Sequence, residues 1–442
     1  MLFLAASVPL VAQEELTRRV QQLESQVRQL TDEVIQLRSA LRVQEKTTEQ
    51  LSQTKSPRQE LIYDEVIASF LAEDAQDSAA VFYRKLIHSQ IWLGGYVDVL
   101  AEARESVREQ SIFSLSHLAL SMRSSLSEEL SVQAQVVITE ADTVSVAQAY
   151  LLVSFDALLS AKFGVLKLPW GKYNSEAAPP AQELATTPWV DQYIIPTVWS
   201  DPGVAIFGNY QNLALFSLGY EVMVSSGFSE GGFSGITGNR KARQGLAKDN
   251  NDDLQWSGRL EIIPKLGLDV FAATMGISGV IGQYDARAAN EFRGLAWDWY
   301  VTVGPFSLIG DQDRLAVTGE YVRLDLERDG LVRQKYPDIS SGMVGYYWEV
   351  QYHFFLEQWR RKFVLFGDQS RFVVSFRHER GNLDKSKTGA GSADDQEIYT
   401  LGFNFHPIEQ TVVRIEYNWI SEFVSQKRAW NNRVLVSMAT YF

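Results

Sequence analysis

The sequence predicts an all-β fold, a 16-stranded antiparallel transmembrane β-barrel with an N-terminal α-helical coiled coil. Three observations predict the barrel. Beyond about residue 90, apolar and polar residues alternate over long segments. The connections between those segments alternate between short and long. Phe, Tyr and Trp make up 12% of the chain, yet no apolar run is long enough to cross a bilayer as a helix.

Composition excludes several classes. With 442 residues the chain can hold a large barrel and an extension. It has no cysteine, so disulfide frameworks, zinc thiolates and thiol catalysis are out. The five histidines, His88, His117, His353, His378 and His406, have no metal-ligand spacing. No cofactor is expected. A net charge of −13 argues against a nucleic-acid partner, which would need basic surface to meet phosphates. No His-centred catalytic set is present, so the chain does not read as an enzyme.

The elements follow in chain order. Residues 1–12 contain the apolar run Leu2 to Ala12, which reads as the core of a secretory signal cleaved after Ala12. The basic stretch that precedes such a core is missing, which reads as a truncated start. Residues 13–55 form the coiled coil. Leu16, Leu23, Leu30 and Leu37 alternate at spacings of four and three with Val20, Val27, Val34 and Leu41, the left-handed period. A lone amphipathic helix is the blander reading, but the apolar seam is narrow. Arg19-Val20-Gln21-Gln22-Leu23-Glu24 resembles a trimerisation motif, in which Arg and Glu pair between neighbouring helices around Val20 and Leu23. Val27 and Leu30 continue that trimer core. From Leu16 to Leu51 the stalk would reach on the order of 50 Å. Ser56-Pro57 ends it, and residues 56–89 read as a helical connector, either packed on the barrel base or plugging its lumen.

The barrel occupies residues 90–442. Sixteen strands are expected near 90–100, 112–123, 127–138, 143–155, 158–168, 202–209, 212–225, 252–264, 266–276, 295–309, 313–326, 343–356, 370–380, 395–406, 410–420 and 432–442. The alternation is clear in Val413, Ile415, Tyr417 and Trp419 against Arg414, Glu416 and Asn418. An even count returns both ends of the barrel to one side of the membrane. Long loops are expected at 169–201, 226–251, 277–293, 327–342, 381–394 and 421–431, with one unusually long turn, 357–369, on the opposite side. The last strand ends at Phe442, and a terminal aromatic on an alternating strand resembles the assembly signal of outer-membrane barrels.

The third loop, 169–201, is the longest and richest in proline. Its neck reads Lys167-x-Pro169-Trp170-Gly171, followed by Pro188-Trp189, Ile195-Pro196 and Asp201-x-Gly203-Val204, with Gly208 in the next strand. This ordered set resembles the phosphate-selective porin O and P family over about residues 160–210. The resemblance does not reach the coiled coil. It implies a trimeric barrel of sixteen strands in the outer membrane whose third loop folds into the lumen and narrows it. Lys172, Tyr173, Glu176, Glu183 and Asp191 are then the expected constriction residues. Prolines would hold such a loop in a fixed shape. Its tryptophans, Trp170, Trp189 and Trp199, would either anchor it to the wall or sit in an interfacial girdle.

The family's phosphate chemistry does not carry over. Candidate pore-lining residues Lys162, Arg259, Glu261, Arg371, Arg377, Arg414 and Glu416 are mixed in sign, and Arg314, Asp98, Asp269, Glu320, Glu349 and Glu379 add to the mixture. Mixed charge predicts a transverse field and weak ion preference. The expectation is passive diffusion of small hydrophilic solutes and ions through a homotrimer set in outer-membrane lipid, with the stalk in the periplasm. The other expectation is a structural envelope protein. In that reading the coiled coil sets periplasmic spacing or meets peptidoglycan or a periplasmic partner.

Overall fold

A computed structural model of the chain describes residues 90–105, 111–139, 143–211, 213–242, 253–267, 270–310, 312–360, 362–386, 394–424 and 427–442. The expected signal (1–12), coiled coil (13–55, with Arg19, Val20, Leu23, Glu24, Val27 and Leu30) and connector (56–89) lie outside the described residues.

Alternating sequence becomes extended chain throughout the rest. The strands are β1 (Gln90–Arg104), β2 (Ile112–Ser125), β3 (Leu130–Thr139), β4 (Val144–Ser154), β5 (Ser160–Lys167) and β6 (Ser200–Tyr210). Next come β7 (Phe216–Ser225), β8 (Gln255–Pro264), β9 (Phe271–Gln283), β10 (Glu291–Phe306), β11 (Asp313–Leu326) and β12 (Gly342–Phe354). The last are β13 (Arg371–Asn382), β14 (Gln396–Ile408), β15 (Thr411–Val424), β16 (Lys427–Trp430) and β17 (Arg433–Tyr441). Strands β1 to β15 pair antiparallel in chain order, β15 pairs with both β16 and β17, and β1 closes the sheet by pairing with both β2 and β17. β16 continues the β15 ladder where β17 leaves it, so β16 and β17 act as one strand interrupted at Asn431-Asn432. The wall is therefore a closed barrel of sixteen strands. Closure removes every open edge, which hydrocarbon could not satisfy. The closing seam runs from Tyr96 against Tyr441 to Arg104 against Arg433. Beyond it, Phe442 and Gly95 exchange two backbone hydrogen bonds of 3.0 Å, so the last residue completes the seam.

The two faces of the wall differ as the alternation requires. Trp256, Met275, Ile277, Trp297, Leu401, Phe403, Ile415, Val436 and Met438 are exposed on the outside. Their strand neighbours Asp298, Thr400, Asn404, Arg414, Glu416 and Ser437 are buried inside. An apolar exterior around a polar interior is the arrangement of a barrel that sits in lipid.

Two expected loops are shorter than the sequence suggested. β9 runs to Gln283 and β10 begins at Glu291, so most of 277–293 is wall. β15 runs to Val424, which absorbs much of 421–431. Glycines at 276, 279, 282 and 294 imitate loop composition there, but all four stand in paired strands, and side chains approach the wall at three of them: Arg259 at Gly276, Phe292 at Gly282 and Trp170 at Gly294.

Residues 168–199 leave β5 and turn inward. They carry helical turns at Lys172–Ser175 and Trp189–Tyr193 and a 3₁₀ turn at Pro179–Ala181. The larger of the two apolar clusters among the described residues lies on this loop. Leu168, Trp170, Trp189, Val190, Ile194, Ile195 and Trp199 join Phe228 and Phe233 from the fourth loop, Tyr284, Val332, Ile339 and Leu383 from later ones, and Phe292 of β10. The rings interlock edge to face: Trp199 to Phe228 at 4.1 Å, Phe228 to Phe292 at 4.2 Å, Phe233 to Tyr284 at 5.0 Å. Each fully buried side chain of this size contributes about 1.5–3 kcal/mol. The long loops thus make a packed cap rather than loose hairpins.

Candidate functional site

The third loop is fixed at its neck before it enters the lumen. The Leu168 N–H donates to Trp199 O at 3.0 Å. Fully buried Asn174 donates to Leu168 O (2.9 Å) and Trp199 O (3.1 Å) and accepts from the Trp199 N–H (2.7 Å). One amide thereby ties both ends of the neck together.

From that neck the loop crosses to the opposite wall. Gly171 N–H donates to Ser278 Oγ of β9 (2.9 Å), and Tyr173 N–H to Glu320 of β11 (3.4 Å). Trp189 N–H donates to Glu379 of β13 at 2.5 Å. Ala185 N–H donates to Glu416 of β15 at 2.9 Å. In the other direction, Arg377 donates to Thr186 O (2.8 Å) and Asn404 to Glu183 O (2.7 Å). Arg414 donates to Pro179 O (3.0 Å) and Gln182 O (3.2 Å). Wall glycines seat the large side chains. A Cβ on Gly381 would lie 1.9 Å from the Trp189 ring, and one on Gly294 would lie 2.6 Å from Trp170. All three loop tryptophans are buried, which decides between anchor and girdle in favour of anchor.

Charges on this side are consumed in the contact. Arg377 and Arg414, 2% and 1% exposed, pair with Glu379 at 2.8 Å and Asp98 at 3.0 Å. Arg259 grips Asp298 through two bonds of 2.6 and 2.9 Å and reaches Glu261 at 3.1 Å. Glu183 meets His406 at 2.9 Å and Arg371 at 3.9 Å. Burial opposes ionisation of Glu183, but the charge of His406 and its hydrogen bond hold the carboxyl well below the usual range. Asp191 goes the other way. Burial, then the charges of Glu320 and Glu379, push its carboxyl well above the usual range, with Arg377 acting in opposition.

The loop's other side leaves space. A cavity of about 130 Å³ lies between it and β1–β4, beside contacts of Ala178 and Val198 with Tyr96, Ala119, Val137 and Ala147. Tyr96, Asp98, His117, Val137, Thr139, Ser145 and Ala147 form the wall; Tyr173, Pro179, Gln182, Leu184, Thr187, Thr197 and Val198 form the loop face, with Arg414 at the junction. Register shifts between Asp98 and Val99, and between Gln135 and Val136, fall on these strands, where bulges re-aim side chains toward the space. Arg414 stands on β15 and Asp98 on β1, so this ion pair spans the closing seam.

The expected constriction residues separate. Tyr173 borders the cavity, and burial pushes its hydroxyl upward. Glu183 and Asp191 face the opposite wall. Lys172 lies 3.8 Å from Glu176 and over the Tyr300 ring at 5.2 Å. Of the expected pore-lining residues, Arg414 borders the cavity, while Arg377 and Glu416 are clamped under the loop. Lys162 pairs with Glu221 at 3.1 Å beneath the Phe207 ring. Sequence reasoning missed Tyr96, His117, Thr139 and Ser145. The signal was available: the inward positions of β2–β4 carry hydroxyls, amides and small residues, whereas charge accumulates from β8 onward.

No protein-family model matches the chain. An uncharacterised protein of Aquifex aeolicus is 24% identical over 346 residues, covering 74% of each chain. Similar solved structures include an anion-selective porin from Comamonas acidovorans (10% identical, 80% of this chain and all of that one, as 100%, TM-score 0.48). The outer-membrane channel DcaP of Acinetobacter baumannii is 10% identical over 80% of this chain and 97% of its own, with a TM-score of 0.49. OmpF of Salmonella typhi is 11% identical over 80% of this chain and 97% of its own, also with a TM-score of 0.49.

Proposed function

We propose that the chain is a trimeric porin of the bacterial outer membrane, passing small hydrophilic solutes by diffusion. The third loop is its constriction, and the coiled coil of residues 13–55 stands in the periplasm. The observation that carries this reading is the loop inside the closed barrel, bonded to one wall while a cavity remains between it and the other. A lumen meant to be sealed would fill both sides with side chains; a wide open one would not need the glycine seats and the arginine clamps. The apolar exterior supports the lipid setting. The test is conductance of purified full-length protein in planar bilayers. Stepwise ion current is expected. Silent bilayers from protein that still shows the gel shift of a folded barrel would contradict the reading.

A second role is favoured by the heptads from Leu16 to Leu41. Such a stalk can also link the outer membrane to the cell wall, in the same chain that forms the channel. Retention of the protein on purified peptidoglycan, lost when residues 16–51 are deleted, is the expected result. Equal retention of both forms would remove this role.

A further inference from the structure

The cavity's lining speaks to what passes. Around it, the charged side chains are Asp98 and Arg414, joined to each other at 3.0 Å, with His117 at 3.7 Å from Asp98. Arg414 is further held by the carbonyls of Pro179 and Gln182 and by Ser437 Oγ at 2.8 Å. Neither member of the pair presents an unbalanced charge to the space. The other polar groups are the hydroxyls of Tyr96, Thr139, Ser145, Tyr173, Thr187 and Thr197 and the Gln182 amide. Thr197 and Ser145 already donate to the carbonyls of Ile195 (3.0 Å) and Val137 (3.4 Å) and keep accepting lone pairs, whereas the hydroxyls of Tyr96 and Thr139 can donate and accept. The two tyrosine rings add apolar faces beside these polar groups.

We infer that the passage between the third loop and β1–β4 selects small uncharged polyhydroxylated solutes, of monosaccharide size or less, over organic ions of the same size. The inference rests on the porin reading. A sugar brings donors, acceptors and C–H faces, each matched by a hydroxyl or a ring, and gives up its water without exposing a charge. An organic ion must shed hydration with no opposite charge free to replace it. Size sets the limit: about 130 Å³ is well under the ~300 Å³ of ordinary small-molecule sites. Arg377 and Glu416 do not alter this, because the loop lies over them.

The test compares efflux of labelled D-glucose and labelled gluconate from proteoliposomes holding the full-length protein. Glucose is expected to leave about tenfold faster than gluconate. Thr139→Lys, which adds a free positive charge to the lining, is expected to narrow the ratio by speeding gluconate. Should that variant fail to fold, the ratio for the unaltered protein decides alone. Equal rates, or faster gluconate, would overturn the inference and leave the channel reading standing. Neither solute leaving above the protein-free rate would overturn both.

Discussion

The two halves of the barrel wall treat the same loop differently. Strands β8–β15 offer Arg259, Asp298, Glu320, Arg377, Glu379, Arg414 and Glu416, and most meet the loop's backbone or each other. Strands β1–β4 offer Tyr96, Thr139, Ser145 and Ala147 and leave a gap. In water, charges on a pore wall act as a filter. Under a packed loop they act as fasteners, since a buried charge must find a partner and the loop's carbonyls and N–H groups are at hand. Charge therefore marks where the loop is fastened, and the space on its other side is bordered by the paired Asp98 and Arg414, His117 and uncharged groups.

That contrast can be broken from its strongest point downward. Arg414→Met leaves Asp98 buried without its partner and removes the donor from the Pro179 and Gln182 carbonyls. A loss of roughly 3–5 kcal/mol is expected, read as a lower temperature for the folded-to-unfolded gel shift, together with a larger and noisier single-channel current. Glu183→Gln weakens the contact with His406 and Arg371, with an expected loss of about 1.5–3 kcal/mol by the same assay. At the neutral wall, Ser145→Ala should stay within about 0.5 kcal/mol of the parent, and any effect should fall on solute efflux rather than on the unfolding temperature.

Proton linkage splits the loop in the same way. Glu183 has a lowered folded pKa, so its contribution is present above the ordinary carboxylate range and fades as pH falls through the folded value. Asp191 has a raised folded pKa; its contribution is present below the ordinary range and is lost as pH rises through the folded value. Asp191→Asn should therefore flatten the alkaline side of the stability profile and leave the acid side alone. A profile unchanged on both sides would mean that Asp191 does not seat the loop.

Much of the fold was legible because a period of two is hard to imitate: Tyr399 to Phe405 and Val413 to Trp419 read directly as wall. The β9–β10 boundary was misread because Gly276, Gly279, Gly282 and Gly294 look like turn residues until something needs the room beside them. The loop's inward course was implied by the resemblance that Pro169-Trp170-Gly171, Pro188-Trp189 and Ile195-Pro196 carry. Its bonding was not, since Arg414 and Pro179 meet only once the chain has crossed the lumen. Asp98 and Arg414 are likewise remote in sequence and become neighbours only through closure.

The chain has no cysteine, so single thiols report on one place at a time. Ser145 borders the cavity, while Ser375 is fully buried on β13 beside Gly402, where Leu184 of the loop packs. The decisive measurement is single-channel current of Ser145→Cys and Ser375→Cys before and after a charged methanethiosulfonate reagent. Current should fall for the first and hold for the second. Block at residue 375 with none at 145 would place the passage on the wrong side of the loop and contradict the account.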